Sequence, residues 1–277
     1  MPTNRELFFR YQKEGIPTTV ILFALQQINA FSHAQLTLNF DKEINNYPYF
    51  CEAMKRYQNG EMIEYIFEST HFLSKVFYVN KKVLIPRQET EQLVLLSIGK
   101  TINKFGANTL TIADICTGSG VIGISMALDQ PQHNYYLVDI DDEAIKVAEE
   151  NIRRFGVSRC QTMIGDMLQP LLGRDIKLDV LVCNPPYIED ISSIDKRTWN
   201  QEPHLALLAT PSTKYYEIIF RNVDQIMNEQ FLLCFEIGED MEEELIALVK
   251  KYFPEAKYSF EKDLYGKTRF LFVENKD

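Results

Sequence analysis

Asn184-Pro185-Pro186-Tyr187 sets a carboxamide, two backbone-fixing rings and a phenol in four consecutive positions. A carboxamide oxygen accepts hydrogen bonds, and so does the carbonyl of Pro185. Two acceptors aimed at one NH2 group would hold that nitrogen and turn its free face toward a reaction partner. Prolines suit this task because they hold the acceptors in place with little entropy left to lose. Tyr187 offers a flat face to a planar group. Asn184, Pro185 and Tyr187 are thus the candidate catalytic residues, and Pro186 completes the substrate-binding turn. A planar amide or an exocyclic amine is a poor nucleophile because its lone pair is delocalised. Acceptors that draw on its hydrogens favour a pyramidal transition state over the planar ground state. No histidine–carboxylate pair is evident, and none is needed if the reaction partner arrives already activated.

A second constellation lies upstream. Asp114-Ile115-Cys116-Thr117-Gly118-Ser119-Gly120 closes one apolar run and opens another. Gly118, Gly120 and Gly123 match the dinucleotide fingerprint, and Asp139 follows about twenty residues later, where a ribose-binding acid belongs. A dinucleotide pyrophosphate would meet Asp114 as an unwelcome carboxylate, however. An acid at that place suits a cationic or amine-bearing ligand. Asp166 then follows the next strand, giving one carboxylate after each of three strands. Such a rim fits an adenosine joined to an amino acid and a sulfonium, and the pattern resembles S-adenosylmethionine methyltransferases. Asp141 and Asp142 sit at a helix start and read as caps.

The elements that must position these groups can be read from periodicity. Residues 1–72 read as a compact helical unit, with Thr3 as the first N-cap and Gly15 as a stop. Residues 73–88 read as a hairpin linker in which Val76–Val79 pairs with Val83–Ile85 around Asn80-Lys81-Lys82. From residue 89 to 277, strands alternate with helices, which predicts a mostly parallel sheet covered on both faces. The last two strands are too close for a helical crossover and should pair antiparallel. The strand before Asn184 should lie beside the strand before Cys116, bringing both motifs to one crevice.

Composition narrows the partners. The chain has 277 residues and a net charge of −10, without a clear basic stripe, which disfavours nucleic acid as the main substrate. Its five cysteines are scattered and lack a CxxC pair, so they read as small core residues in a reducing compartment. The histidines show no metal-ligand spacing, and no metal is expected. The N-terminus lacks a secretory apolar stretch, and no run approaches a membrane span. A cytoplasmic monomer follows as the expectation.

NPPY alone does not separate a base amine from a glutamine amide. The surrounding segments do more. Leu84-Ile85-Pro86-Arg87-x-Glu89-Thr90-Glu91, Glu202-Pro203 with Ala206-Leu207, Phe235–Gly238 and Asp263-Leu264-x-Gly266-x-x-Arg269 together resemble the release-factor glutamine methyltransferases, the PrmC/HemK family. The resemblance spans nearly the whole chain. It implies an α/β fold: a Rossmann-like seven-stranded class I methyltransferase domain preceded by a small helical bundle and a β-hairpin linker. It implies methyl transfer from S-adenosyl-L-methionine to the side-chain amide of the GGQ glutamine in class-1 peptide chain release factors, modulating translation termination. By matching position, Asp114, Cys116, Thr117, Gly118, Ser119, Gly120, Asp139, Asp166, Met167 and Asn184 would hold the cofactor, and Asn184–Tyr187 the substrate amide.

Two positions depart from the family pattern: Cys116 stands where glycine is frequent, and Gln88 where proline is. A Gly-rich continuation after Leu207 is replaced by Leu208–Thr213. A nucleic-acid amine methyltransferase acting on an extruded base is the competing enzyme. A positive groove leading to Asn184 would favour it. Asp114 and NPPY speak against a nicotinamide oxidoreductase, and the intact motifs against a degenerate binding module.

Overall fold

The structure, a computed structural model, describes residues 1–275. It divides into two compact units: Met1–Ser69 with Lys196–Gln201, and Thr70–Asp195 with the segment from Glu202 onward. Among the described residues, no helix is long and apolar enough to cross a membrane, and no cluster of His, Cys, Asp and Glu could hold a metal.

The first unit opens with α1 (Asn4–Lys13), α2 (Thr18–Asn29), α3 (His33–Leu38), α4 (Tyr47–Gln58) and α5 (Ile63–Phe67). Thr3 caps α1 as expected, and Glu6 reaches back to the Thr3 N–H to complete a capping box. Leu7, Ile21, Leu25, Phe50 and Met54 pack into its core.

A hairpin follows, but not where the apolar pattern put it. β1 (Ser69–Phe72) pairs with β2 (Lys75–Tyr78), and Val83–Ile85 form no strand. The reason is local. Leu73 and Ser74 adopt φ of 46° and 61°, the double left-handed geometry that a two-residue hairpin turn requires. Val83 and Ile85 are buried all the same, in an irregular segment.

The second unit continues with α6 (Gln88–Phe105), β3 (Thr111–Ile115), α7 (Val121–Asp129), β4 (Asn134–Asp139), α8 (Asp142–Phe155), β5 (Cys160–Ile164) and β6 (Leu178–Cys183). The short helix α9 (Lys196–Gln201) belongs to the first unit. Then come α10 (Lys214–Asn222), β7 (Met227–Glu236), α11 (Glu242–Tyr252), β8 (Lys257–Lys262) and β9 (Thr268–Glu274). α10 does not run directly into the strand that follows it. It ends at Asn222 and passes through a 3-10 turn at Val223–Gln225 into β7.

The seven strands run in the order β5-β4-β3-β6-β7-β9-β8, the Rossmann-like sheet the sequence predicts. The pairs from β5 through β7 are parallel, and β9 pairs antiparallel with both β7 and β8. Side chains alternate between two cores. Ile115, Leu181, Cys183 and Phe235 face α10 and α11, while Ile112, Val182 and Cys234 face the helices on the other side. Strand order reverses between β3 and β6, and Ile115 pairs with Cys183. The chain therefore leaves both central strands at the same level, on the edge where open α/β sheets bind ligands.

Candidate active site

The loop after β3 is built on left-handed backbone. Cys116, Gly118 and Gly120 have φ of 59°, 53° and 80°. A Cβ on Gly120 would sit 2.8 Å from Ile124 Cδ1, so this glycine serves close packing as well as the turn. Asp114 lies beneath the loop, 1% exposed. Its Oδ2 accepts from the Thr117 hydroxyl at 2.5 Å and the Gly123 N–H at 2.9 Å. Its Oδ1 is buried with no partner. Burial raises the Asp114 pKa to about 7 against the lowering effect of those two donors, and Asp139 pushes it the same way as burial. Asp114 thus braces the loop from below rather than forming the cavity wall.

Asp139 ends β4 and ties the two rims together. Its Oδ2 accepts from the Gly118 N–H at 2.8 Å, and Oδ1 from the Asp141 N–H at 3.1 Å. Burial raises its pKa too. Each carboxylate oxygen retains a second acceptor direction. Asp141 caps α8 through the Glu143 N–H, as its position predicts. Asp166 and Met167 follow β5, and Met167 meets Cys116 sulfur to sulfur at 3.7 Å.

Asp139, Asp141, Asp166 and Met167 line one cavity in the second unit. Cys116, Thr117, Gly118 and Ser119 line the same cavity, as do Asn184 and Pro186.

Asn184 emerges from β6 half-buried, with Pro185 and Pro186 buried behind it. Its Nδ2 donates to Thr90 Oγ1 at 3.2 Å. The Thr90 hydroxyl donates to Glu236 Oε2 at 2.7 Å, and the Tyr187 hydroxyl donates to Glu236 Oε1 at 3.3 Å. Burial lifts the Glu236 carboxyl to about 7 and pushes the Tyr187 phenol up as well. The Tyr187 ring packs against the core under α10 and α11. Beyond NPPY, Ile188 and Leu207–Ala209 close the loop with two backbone hydrogen bonds. Arg87 holds its far side through Glu202 at 2.6 Å, a carboxylate only 4% exposed.

Sequence reasoning gave no role to Thr90, Glu236, Arg87 or Glu202, which entered only as parts of a resemblance. A signal for one of them existed. Glu236 is a carboxylate at the end of the otherwise apolar run Phe231–Phe235, and a buried acid there requires partners.

Known proteins similar to this chain are methyltransferases. A family model described as the Methyltransferase small domain matches residues 96–201. A release factor glutamine methyltransferase of Mycoplasma mycoides is 37% identical over 221 residues, 77% of this chain and 76% of that protein. Proteins of the same name from Bacillus anthracis and Flavobacterium psychrophilum are 35% and 31% identical, covering 81% and 92% of this chain and 80% and 89% of theirs. Among solved structures, a methyltransferase from Pyrococcus furiosus aligns with a TM-score of 0.54 at 13% identity, over 82% of this chain and 99% of that one. The hMettl16 catalytic domain, solved with an RNA hairpin, aligns at 0.57 and 15% identity, over 84% of this chain and 95% of that one. These last two likenesses concern the fold alone.

Proposed function

The chain belongs to the release factor glutamine methyltransferase family, and from that premise we propose that it methylates the side-chain amide nitrogen of the GGQ glutamine in class-1 peptide chain release factors, using S-adenosylmethionine. The observation that carries this reading is the shared exit of β3 and β6. Asn184 and the glycine loop line the same cavity, and the parallel register sets Ile115 beside Cys183.

The residues present suit S-adenosylmethionine. Asp114 Oδ1 is a buried acceptor without a partner, and its ionised form favours a nearby cation. The left-handed loop at Cys116–Gly120 exposes backbone to the cavity, and Asp139 retains acceptor directions for hydroxyls. When bound, the cofactor supplies a methyl already activated by a sulfonium. The protein then has to orient the nucleophile and exclude water. The Asn184 carboxamide oxygen and the Pro185 carbonyl accept from the two hydrogens of the target NH2. Losing a preorganised contact of this kind costs roughly 100- to 1000-fold in rate. Holding nitrogen and methyl in line contributes as much as roughly 7–11 kcal/mol. The amide nitrogen gains the methyl and gives up one proton to solvent.

An acidic enzyme, at −10, also suits a basic, ribosome-binding partner, because opposite charge speeds encounter. Association rates that stay level as salt is added would count against that. We propose a cytoplasmic reaction, because release factors act in translation, and an enzyme that works as a monomer. The direct test is transfer of labelled methyl to a purified release factor whose GGQ glutamine is intact or replaced by alanine. Label is expected on the intact protein only. Equal labelling of both would refute the glutamine assignment.

A further inference from the structure

Three polar side chains from three distant parts of the sequence form a chain beside the cavity. Glu236 ends β7 at 3% exposure, Thr90 lies on the first turn of α6 at 3%, and Asn184 follows β6. While Glu236 is ionised, their order is fixed by proton count. An ionised carboxylate can only accept, so the single proton of the Thr90 hydroxyl goes to Glu236 Oε2. Thr90 Oγ1 is then left to accept, and a carboxamide can meet it only with its NH2 end. The Asn184 oxygen is thereby the end available to the cavity that this residue lines. A second tether runs from the Tyr187 hydroxyl to Oε1, and the Tyr216 hydroxyl holds the Glu236 backbone carbonyl at 2.7 Å.

We propose that Glu236 and Thr90 are positioning residues that set the polarity of the Asn184 carboxamide, oxygen toward the substrate nitrogen. The inference rests on the reading of Asn184 as acceptor for a glutamine NH2. It adds a switch to that reading. A protonated Glu236 can donate to Thr90, whose hydroxyl then donates to the Asn184 oxygen. The carboxamide turns over and meets the substrate donor to donor. The groups bearing on this proton are Glu89, which favours it, and Arg269 and the hydroxyls of Thr90 and Tyr187, which oppose it, while the Tyr216 hydroxyl meets only the backbone carbonyl. Burial brings the Glu236 titration to about 7, inside the working range of an enzyme assay.

Glu236→Gln and Thr90→Val test the relay, with Thr90→Ser as the conservative partner. Each of the first two should lower kcat roughly 10- to 100-fold, with cofactor affinity by calorimetry within about twofold of the wild type. Thr90→Ser should restore kcat to within about threefold, since it keeps the hydroxyl. Wild-type kcat should fall about tenfold per pH unit below the Glu236 titration, and this limb should vanish in Glu236→Gln. A purely structural role predicts a different pattern, with the thermal midpoint of the ligand-free protein dropping alongside kcat. The relay predicts no drop for Glu236→Gln, because a neutral isostere replaces a buried charge. The relay is overturned if both variants keep wild-type kcat, if Thr90→Ser is as slow as Thr90→Val, or if stability falls in step with activity. A wild-type chain that leaves the glutamine unlabelled would instead refute the underlying reading, and the relay with it.

Discussion

Asp114 is ionised only at a cost, and the cost can be worked out. The fold buries its carboxylate to 1% exposure and raises its pKa from 3.8 to about 7. At 1.36 kcal/mol per pKa unit, ionisation inside the fold costs about 4 kcal/mol more than in the unfolded chain. The fold favours the protonated form, so this contribution to stability is fully present below 3.8 and is lost as pH rises through about 7. Asp114→Asn removes the titration and keeps the shape. Its amide oxygen can take both the Thr117 and Gly123 donors, and its NH2 occupies the place of the partnerless Oδ1. Burying that NH2 costs about 1–3 kcal/mol. The two terms nearly cancel at about pH 5, and at about pH 8 the variant should be roughly 1–3 kcal/mol more stable than the wild type. Its affinity should move the other way. S-adenosylmethionine, a cation at sulfur, should lose about tenfold or more, and the neutral thioether S-adenosylhomocysteine less. Scanning calorimetry at the two pH values and titration calorimetry with the two ligands measure both effects. A stability difference identical at both pH values refutes the burial cost. Equal affinity losses for the two ligands refute the charge role.

Three further outcomes follow from the site. Asn184→Ala should reduce turnover roughly 100- to 1000-fold while moving S-adenosylmethionine affinity less than about threefold, and a collapse of affinity would make Asn184 chiefly a cofactor residue. Cys116→Gly should leave the denaturation midpoint no lower than in the wild type. Relief of a left-handed φ of 59° is worth about 1–2 kcal/mol, which offsets the added backbone entropy. Arg87→Ala leaves the nearly buried Glu202 without its guanidinium. Because Arg87 is itself partly exposed, the expected loss is about 1–3 kcal/mol, with faster proteolysis of the loop between Ile188 and Ala209.

Groups that act through their neighbours in sequence were legible there. The glycine loop, Asp139 and NPPY announce themselves by local spacing, and strand alternation places them at one sheet edge. The left-handed φ at Cys116 also explains why glycine is frequent there in the family the sequence resembles. Groups whose roles depend on distant partners were not legible. Thr90 is an ordinary first-turn threonine until β7 brings Glu236 to it. Asp114 reads as a ligand-facing acid, and its second task, bracing the loop through Thr117 and Gly123, is visible only in the structure. The hairpin was misplaced because apolar alternation at Val83–Ile85 marks burial equally well in a strand and in an irregular segment.

The contacts that define the site span long stretches of chain. Arg87 and Glu202 are 115 residues apart, Thr90 and Asn184 94, and Thr90 and Glu236 146. Each loop must close before its contact returns any free energy, so none can form in a chain that has only its helices. Helical signal on refolding should therefore return before methyl transfer does. Activity should reappear in a single phase, that of the central sheet, and serve as a reporter for completion of the whole second unit.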